Sequence, residues 1–232
     1  MIKIVLCGYR DWAIRIIENV KNNKNVIVLA EFSNHDEFVA NIQKFKKDLD
    51  FVLFLGWSWI IPKEITNDIL CLGIHPSDLP YFRGGSPIQH QITQGVINSK
   101  VTLMTLSSHK LDGGDIWLKE NLDLTGNSIT EIFNHITESS IALLNIFFSQ
   151  YPNIKPTPQN INIGTYYKRR MPHESRLSIE DFSKLTLEEI YNHIRCLTDP
   201  YPNAYIEDVF GNRLIFKHVG YIKAGDARDK KD

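Results

Sequence analysis

The sequence is poor in cysteine. Cys7, Cys71 and Cys196 are odd in number and far apart. With no CxxC spacing, neither a thiolate zinc site nor a disulfide framework is supported, and reduced buried thiols are expected. There is no surplus of positive charge, with 26 Lys+Arg against 27 Asp+Glu and a net charge of −1. A protein that gains affinity by neutralising nucleic-acid phosphates carries a basic excess, so no nucleic-acid partner is expected. No window approaches 18 uninterrupted apolar residues, and the opening "MIKIVLCG" is too short for a signal-peptide core. A cytoplasmic protein with no membrane partner follows as the expectation.

Familiar cofactor cradles are missing as well. After the first apolar run the chain reads Gly8-Tyr9-Arg10-Asp11, with no GxGxxG for a dinucleotide. There is no GxxxxGK[ST] loop for phosphoryl transfer and no GxSxG elbow for a serine nucleophile. The eight histidines form no pair at metal spacing near a third ligand, so no metal is expected.

What remains is an ordinary globular composition, 43% hydrophobic and 23% charged, organised by alternating periodicities. "IKIVLC", "NVIVLAEF", "DFVLFLGW" and "ILCLGIH" read as strands that are apolar on both faces. "RDWAIRIIENVKN" and "DEFVANIQKFKK" between them carry helical spacing. Such alternation predicts an α/β fold, a Rossmann-like, parallel-rich sheet covered by helices. Further on, "PIQHQITQG" predicts a short helix, "KVTLMTLS" and "DIWLKENLDL" two strands, and Ser128 to Gln150 a long helix opened by a Ser-Ile-Thr-Glu capping box. The proline-rich "YPNIKPTPQN" reads as a linker. It divides a main domain over 1–155 from a small C-terminal α+β region over 156–222. In that region a second capping box runs from Thr186 to Glu189, and a hairpin is expected around Gly211. The charged tail over 223–232 is expected to be disordered.

Function in open parallel sheets gathers beyond the carboxyl ends of the strands. His75 ends an apolar strand, and Pro76 after it keeps the backbone extended. A lone histidine there is either structural or an acid–base group. Asp112 in "KLDGGDIW" is either a turn residue or the carboxylate that orients such a histidine, its two glycines admitting close approach of a ligand. Together they make a plausible metal-free acid–base pair.

"GIHPSDLPYFRGGSPIQ", followed about 20 residues later by "VTLMTLSSHKLDGGDIW", resembles the formyltransferases that use 10-formyltetrahydrofolate, and "DFVLFLGWSWIIPKEI" resembles the family's preceding strand and loop. "YYKRRMPHESRL" and "IRCLTDPYPNAYI" are fainter matches to its C-terminal region. The resemblance implies N-formyl transfer through an Asn-x-His and an Asp. His75 takes the histidine position and Asp112 the aspartate position, but Gly73 stands where the asparagine belongs. Ser77, Ser86, Gln89 or a water is left to replace that amide. Asp78, where the family has an aliphatic residue, is expected to cap the loop.

By the same resemblance the folate lies across Ser58, Trp59, Ile60 and Ile61 and against Gly85, Ser108, His109, Lys110, Leu111 and Asp112. Trp57 and Trp59 equally suit core packing. Substrate contacts are expected at Gly73, Ser77 and Arg83. In "TYYKRR", Tyr166 and Tyr167 are suited to stack a base or sugar, and Arg169 and Arg170 to meet a diphosphate. Arg83 and this run also read as solvated loop charges. The acceptor most in keeping with the sequence is a nucleotide-linked (dTDP or UDP) amino sugar destined for surface polysaccharide such as lipopolysaccharide O-antigen. A transfer RNA needs a basic loop, whereas the chain has the acidic "EFSNHDEFVAN" there. Glycinamide ribonucleotide and a hydroxyornithine-type amine stay open. So does a catalytically impaired binding module for nucleotide sugar or folate, because of Gly73. A homodimer is compatible with the sequence.

Overall fold

The computed structural model describes residues 1–224; the rest of the charged tail, 225–232, lies outside the described residues. Strand β1 (Ile2–Gly8) is flanked by β2 (Val26–Phe32) and β3 (Phe51–Leu55), and β4 (Cys71–His75) lies beyond β3, all parallel. Strands β6 (Asn98–Thr105) and β7 (Ile116–Asp123) extend this sheet antiparallel, giving the order β2-β1-β3-β4-β6-β7. Two-stranded pairs are added by β5 (Arg83–Gly84) with β8 (Tyr166–Tyr167), and by β9 (Ala204–Glu207) with β10 (Arg213–Phe216).

Successive strand side chains point to opposite faces, so the sequence sorts itself into two apolar layers. Ile4, Leu6, Leu53, Leu55 and Leu72 join one cluster; Val5, Cys7, Val52, Phe54 and Cys71 join the other. All five residues of β3 are buried, which is why that strand reads as an unbroken apolar run. Helix α1 (Asp11–Lys21) covers the first face with Ala13, Ile16, Ile17 and Val20, a single stripe at 3.6-residue spacing. Helix α2 (His35–Asn41) covers the second with Phe38, its start capped by Asn34. Short α3 (Lys63–Thr66) adds Ile65 to that layer.

Helices α4 (Pro87–Thr93) and α5 (Ile129–Gln150) complete the first layer. Ser128 caps α5 by accepting from the Glu131 N–H at 3.3 Å, while the Glu131 carboxylate turns back to the Asn127 N–H at 2.9 Å. The reciprocal half of the expected box thus falls one residue early. At helix α7 (Leu187–Arg195), after short α6 (Asp181–Lys184), both halves form as expected between Thr186 and Glu189.

The C-terminal region has no separate core. Leu177, Ile190, Ile194, Leu197 and Ala204 belong to the same cluster as the α1/α5 face of the sheet. The hairpin expected around Gly211 is β9–β10. Among the described residues, no helix is long and apolar enough to cross a membrane.

Phe147 is fully buried at the centre of the larger cluster, against Phe51, Trp117, Phe148 and Tyr151. Phe147→Ala is expected to lower unfolding stability by about 3–5 kcal/mol in urea denaturation, because the rigid aromatic surroundings collapse little around the void.

Candidate active site

Strand order reverses between β1 and β3, and a crevice opens beyond their carboxyl ends. A cavity of about 580 Å³ occupies it and continues past the end of β4. His75 ends that strand, 6% exposed, and one edge of its ring is held by a hydrogen bond. Nε2 lies 2.9 Å from the Phe82 carbonyl, which fixes it as the donor in the neutral ring. Nδ1 lies 3.6 Å from Asp112 Oδ2, and the same oxygen accepts from the Gly84 N–H at 2.8 Å. The Asp112 backbone is anchored by Gln159, whose Nε2 donates to its carbonyl at 3.1 Å.

Among the described residues, three non-glycine residues have positive φ: Phe82 (58°), Ser86 (52°) and Asp112 (50°). All three belong to the loops around His75, and left-handed backbone costs a non-glycine residue about 1–2 kcal/mol. Tertiary pairing holds them there. Gly84 and Gly85 run against β8 so closely that a Cβ at Gly84 would strike the Tyr167 carbonyl and one at Gly85 the Arg169 backbone. Only glycine permits this approach.

The wall on the α2/α3 side is made by Trp57, Ser58, Trp59, Ile60, Ile61 and Thr66, with Leu106, Ser108, Leu111 and Asp112. Ser58 Oγ accepts from both Tyr9 Oη (2.8 Å) and Arg10 Nη2 (2.9 Å), which fixes the loop. Among the described residues, none hydrogen-bonds to the peptide groups of Ser58 to Ile61. The opposite wall comprises Ser86, Ile88, Gln89, Phe133, Tyr166, Arg169, Arg170, Ser175 and Tyr201, with Arg10 and Trp12 at the β1 exit. The Trp12 and Phe133 rings stack at 6.0 Å. Three arginines line the cavity against a single carboxylate, Asp112.

Several expected contacts fall elsewhere. Ser77 is fully buried outside the lining, its hydroxyl donating to the Tyr81 carbonyl at 2.7 Å. Arg83 folds back onto the Pro80 and Ile161 carbonyls. Tyr167 is stacked between Phe82 and His90 and bonds Gln94. His109 and Lys110 form the exposed tip of their loop, with the Gly113 N–H bonded to the Lys110 carbonyl. Gly113 and Gly114 lie outside the cavity lining, and a Cβ at Gly114 would strike the Thr105 carbonyl of β6. Asp78 is not a loop cap but pairs with Lys119. Sequence reasoning missed Arg10, Trp12, Phe133 and Tyr201. Only Arg10 carried a signal, as a charged residue just past a strand's carboxyl end.

Gly73 faces the second layer, as do Cys71 and His75. A Cβ at Gly73 would meet Leu106 Cδ2 at 2.9 Å, Cδ1 at 3.0 Å and Cγ at 3.1 Å. Gly73 lines the cavity, and the Leu106 side chain lies against it and would have to shift to admit a Cβ there. Thiol chemistry is absent from the site: burial pushes Cys71 and Cys196 up to about 12 and Cys7 higher still, so all three stay protonated.

Residues 11–143 match the family described as formyl transferase. The chain belongs to the formyl transferase family. A methionyl-tRNA formyltransferase of Rickettsia typhi is 33% identical over 184 residues, 78% of this chain and 57% of the relative. The chain thus spans little more than half the length of that curated relative. A solved methionyl-tRNA formyltransferase from Clostridium thermocellum is 31% identical with a TM-score of 0.76, covering 90% of this chain and 89% of its own. A 4-N formyltransferase from Francisella tularensis shares the fold at 20% identity and a TM-score of 0.74, over 96% and 98% of the two chains. So does HypX from Aquifex aeolicus in complex with tetrahydrofolic acid, at 19% and 0.74, over 91% of this chain and 36% of that one.

The Leu106 contact generates a test. Gly73→Asn is expected to destabilise the protein by only about 1 kcal/mol, the low end of overpacking, because the Leu106 side chain can shift. Adding Leu106→Ala is expected to recover part of that loss. Chemical denaturation of the two single variants and the double variant measures the coupling; additive losses would show that Leu106 does not close position 73.

Proposed function

We propose that this formyltransferase moves a formyl group from 10-formyltetrahydrofolate to the amino group of a nucleotide-linked (dTDP or UDP) amino sugar used for surface polysaccharide. The observation that carries the reading is the two-sided cavity meeting at His75 and Asp112. On one side the unpaired peptide groups of Ser58 to Ile61 offer donors and acceptors in a row, as a pterin edge requires. On the other, aromatic rings and arginines suit a nucleoside and its diphosphate. The folate is a co-substrate that supplies the formyl carbon.

The amine attacks that carbon, the bond from the formyl carbon to N10 breaks, and the amine's proton ends on the departing folate nitrogen. With Nε2 committed to Phe82, Nδ1 is the ring nitrogen open to a proton, and the Asp112 carboxylate beside it balances the charge. Gly73 leaves His75 without the neighbouring amide that the family resemblance led one to expect.

A second reading has its own support. The curated relative and the Clostridium protein are methionyl-tRNA formyltransferases, which favours an aminoacylated RNA as acceptor. Against it stands the net charge of −1, which offers little attraction for a polyanion.

His75→Asn is expected to lower turnover roughly 10²- to 10⁴-fold while unfolding stays cooperative. Asp112→Asn keeps an oxygen for the Gly84 N–H but loses the charge, and is expected to impair turnover too. Release of tetrahydrofolate in the presence of dTDP- and UDP-amino sugars reports both, and unchanged rates remove the pair from the mechanism.

The acceptor class is decided by binding. No measurable affinity for methionyl-tRNA is expected at about 0.15 M salt, where the screening length is about 8 Å. Submicromolar binding that falls steeply with salt would replace the sugar by RNA.

A further inference from the structure

Helix α4 carries two glutamines with opposite fates. Gln91 is fully used: its Nε2 donates to the Pro76 carbonyl at 2.7 Å and to Pro87 at 3.0 Å, and its Oε1 accepts from Ser99. These bonds dock α4 onto the residue that follows His75. Gln89 lies two positions earlier, about 200° around the helix at 100° per residue, and is turned to the cavity. It is only 3% exposed, and its Nε2 has no partner. An amide N–H₂ left unpaired in the interior costs about 1–3 kcal/mol. Of the other unpartnered buried side-chain atoms, two also line the cavity: Arg170 Nε on the same wall, and Trp57 Nε1 opposite. All three are donors, so the ligand they await is an oxygen carrier.

We propose that Gln89 is an acceptor-recognition residue, whose Nε2 donates to an oxygen of the acceptor close to the amine that is formylated. This deepens and rests on the reading of the site given above. The gain is selectivity. A buried donor left idle by a ligand lacking the oxygen penalises that ligand, which apolar contacts alone do poorly. A sugar hydroxyl beside the amine meets the requirement, and so does the ester carbonyl of an aminoacyl group. The shared chemistry is an oxygen acceptor near the amine, and the experiment separates the two sources.

The test pairs a side-chain change with a substrate change. Gln89→Met removes the donor and keeps the length. With a dTDP-4-amino-4,6-dideoxyhexose, Gln89→Met is expected to lower kcat/KM roughly 10- to 100-fold. With the 3-deoxy counterpart the parent loses a similar factor, and the variant loses little more. Binding of 10-formyl-5,8-dideazafolate, a stable formyl carrier, stays within about twofold of the parent. If Gln89→Met weakens both sugars equally, Gln89 is structural and the proposal falls while the formyl-transfer reading stands. The proposal falls in the same way if Ser86→Ala, and not Gln89→Met, abolishes the discrimination. Should only methionyl-tRNA be formylated, the sugar reading fails. Gln89 is then upheld by a loss of similar size on that substrate and rejected by an unchanged rate. If no acceptor is formylated and neither sugar binds, both ideas fall. Binding of the formyl carrier then shows whether the folate side survives.

Discussion

One carboxylate oxygen holds the site together. Asp112 Oδ2 takes the Gly84 N–H and faces His75 Nδ1, so a single atom joins the β6–β7 loop, the glycine turn and the end of β4. The left-handed backbone at Asp112 points its carboxylate inward, and that at Phe82 belongs to the turn whose carbonyl takes the other edge of the imidazole. Neither conformation is favourable alone; each persists because the neighbouring loops close around it. The histidine thereby has one orientation and one open nitrogen.

The sheet makes that clamp possible by bringing distant segments to one edge. Alternation along β1, β3 and β4 commits each side chain to one of two apolar layers, and the strands can slip only by exchanging those layers wholesale. Their carboxyl ends are therefore fixed relative to each other to within a residue. Tyr9, Arg10 and Ser58, nearly 50 residues apart in sequence, meet there in hydrogen bonds of 2.8–2.9 Å. The buried Phe38 and Phe54, with the half-buried Trp57 packed on both, give the loop a rigid floor.

Most of the fold and part of the site could be read from residue patterns. Strand β3 announces itself by five consecutive apolar residues, α5 by its cap and stripe, and His75 by its place before Pro76 at a strand's end. The two edge strands were legible from "KVTLMTLS" and "DIWLKENLDL", but their antiparallel pairing was not. Loop interiors were illegible. Ser77, Arg83 and Tyr167 look like ligand groups, yet each satisfies a neighbouring loop, because a buried loop must find partners for its own carbonyls before it can serve a substrate. Phe133 and Tyr201 look like core residues on helix and turn. Their place in the cavity wall depends on long-range packing with no local imprint. Gly73 could be seen as an anomaly, but the Leu106 side chain that lies against it belongs to a segment far away in the sequence.

The two-residue pairing of β5 with β8 has a consequence for how this architecture can be recombined. The glycine turn that carries the Asp112 contact is itself half of a miniature sheet whose other half comes from beyond residue 155. The glycine turn and the C-terminal wall are thus matched surfaces, fitted by close backbone contact at Gly84 and Gly85 and by the Phe82–Tyr167 ring stack. A chimera that borrowed another C-terminal region would exchange the aromatic and cationic groups of that cavity wall. It would also have to inherit the strand that seats Gly84 and Gly85, or the imported wall would displace the very loop it was meant to serve. The wall beyond residue 155 and the loop beside His75 are therefore a single hereditary unit, joined across the boundary where the chain looks easiest to cut.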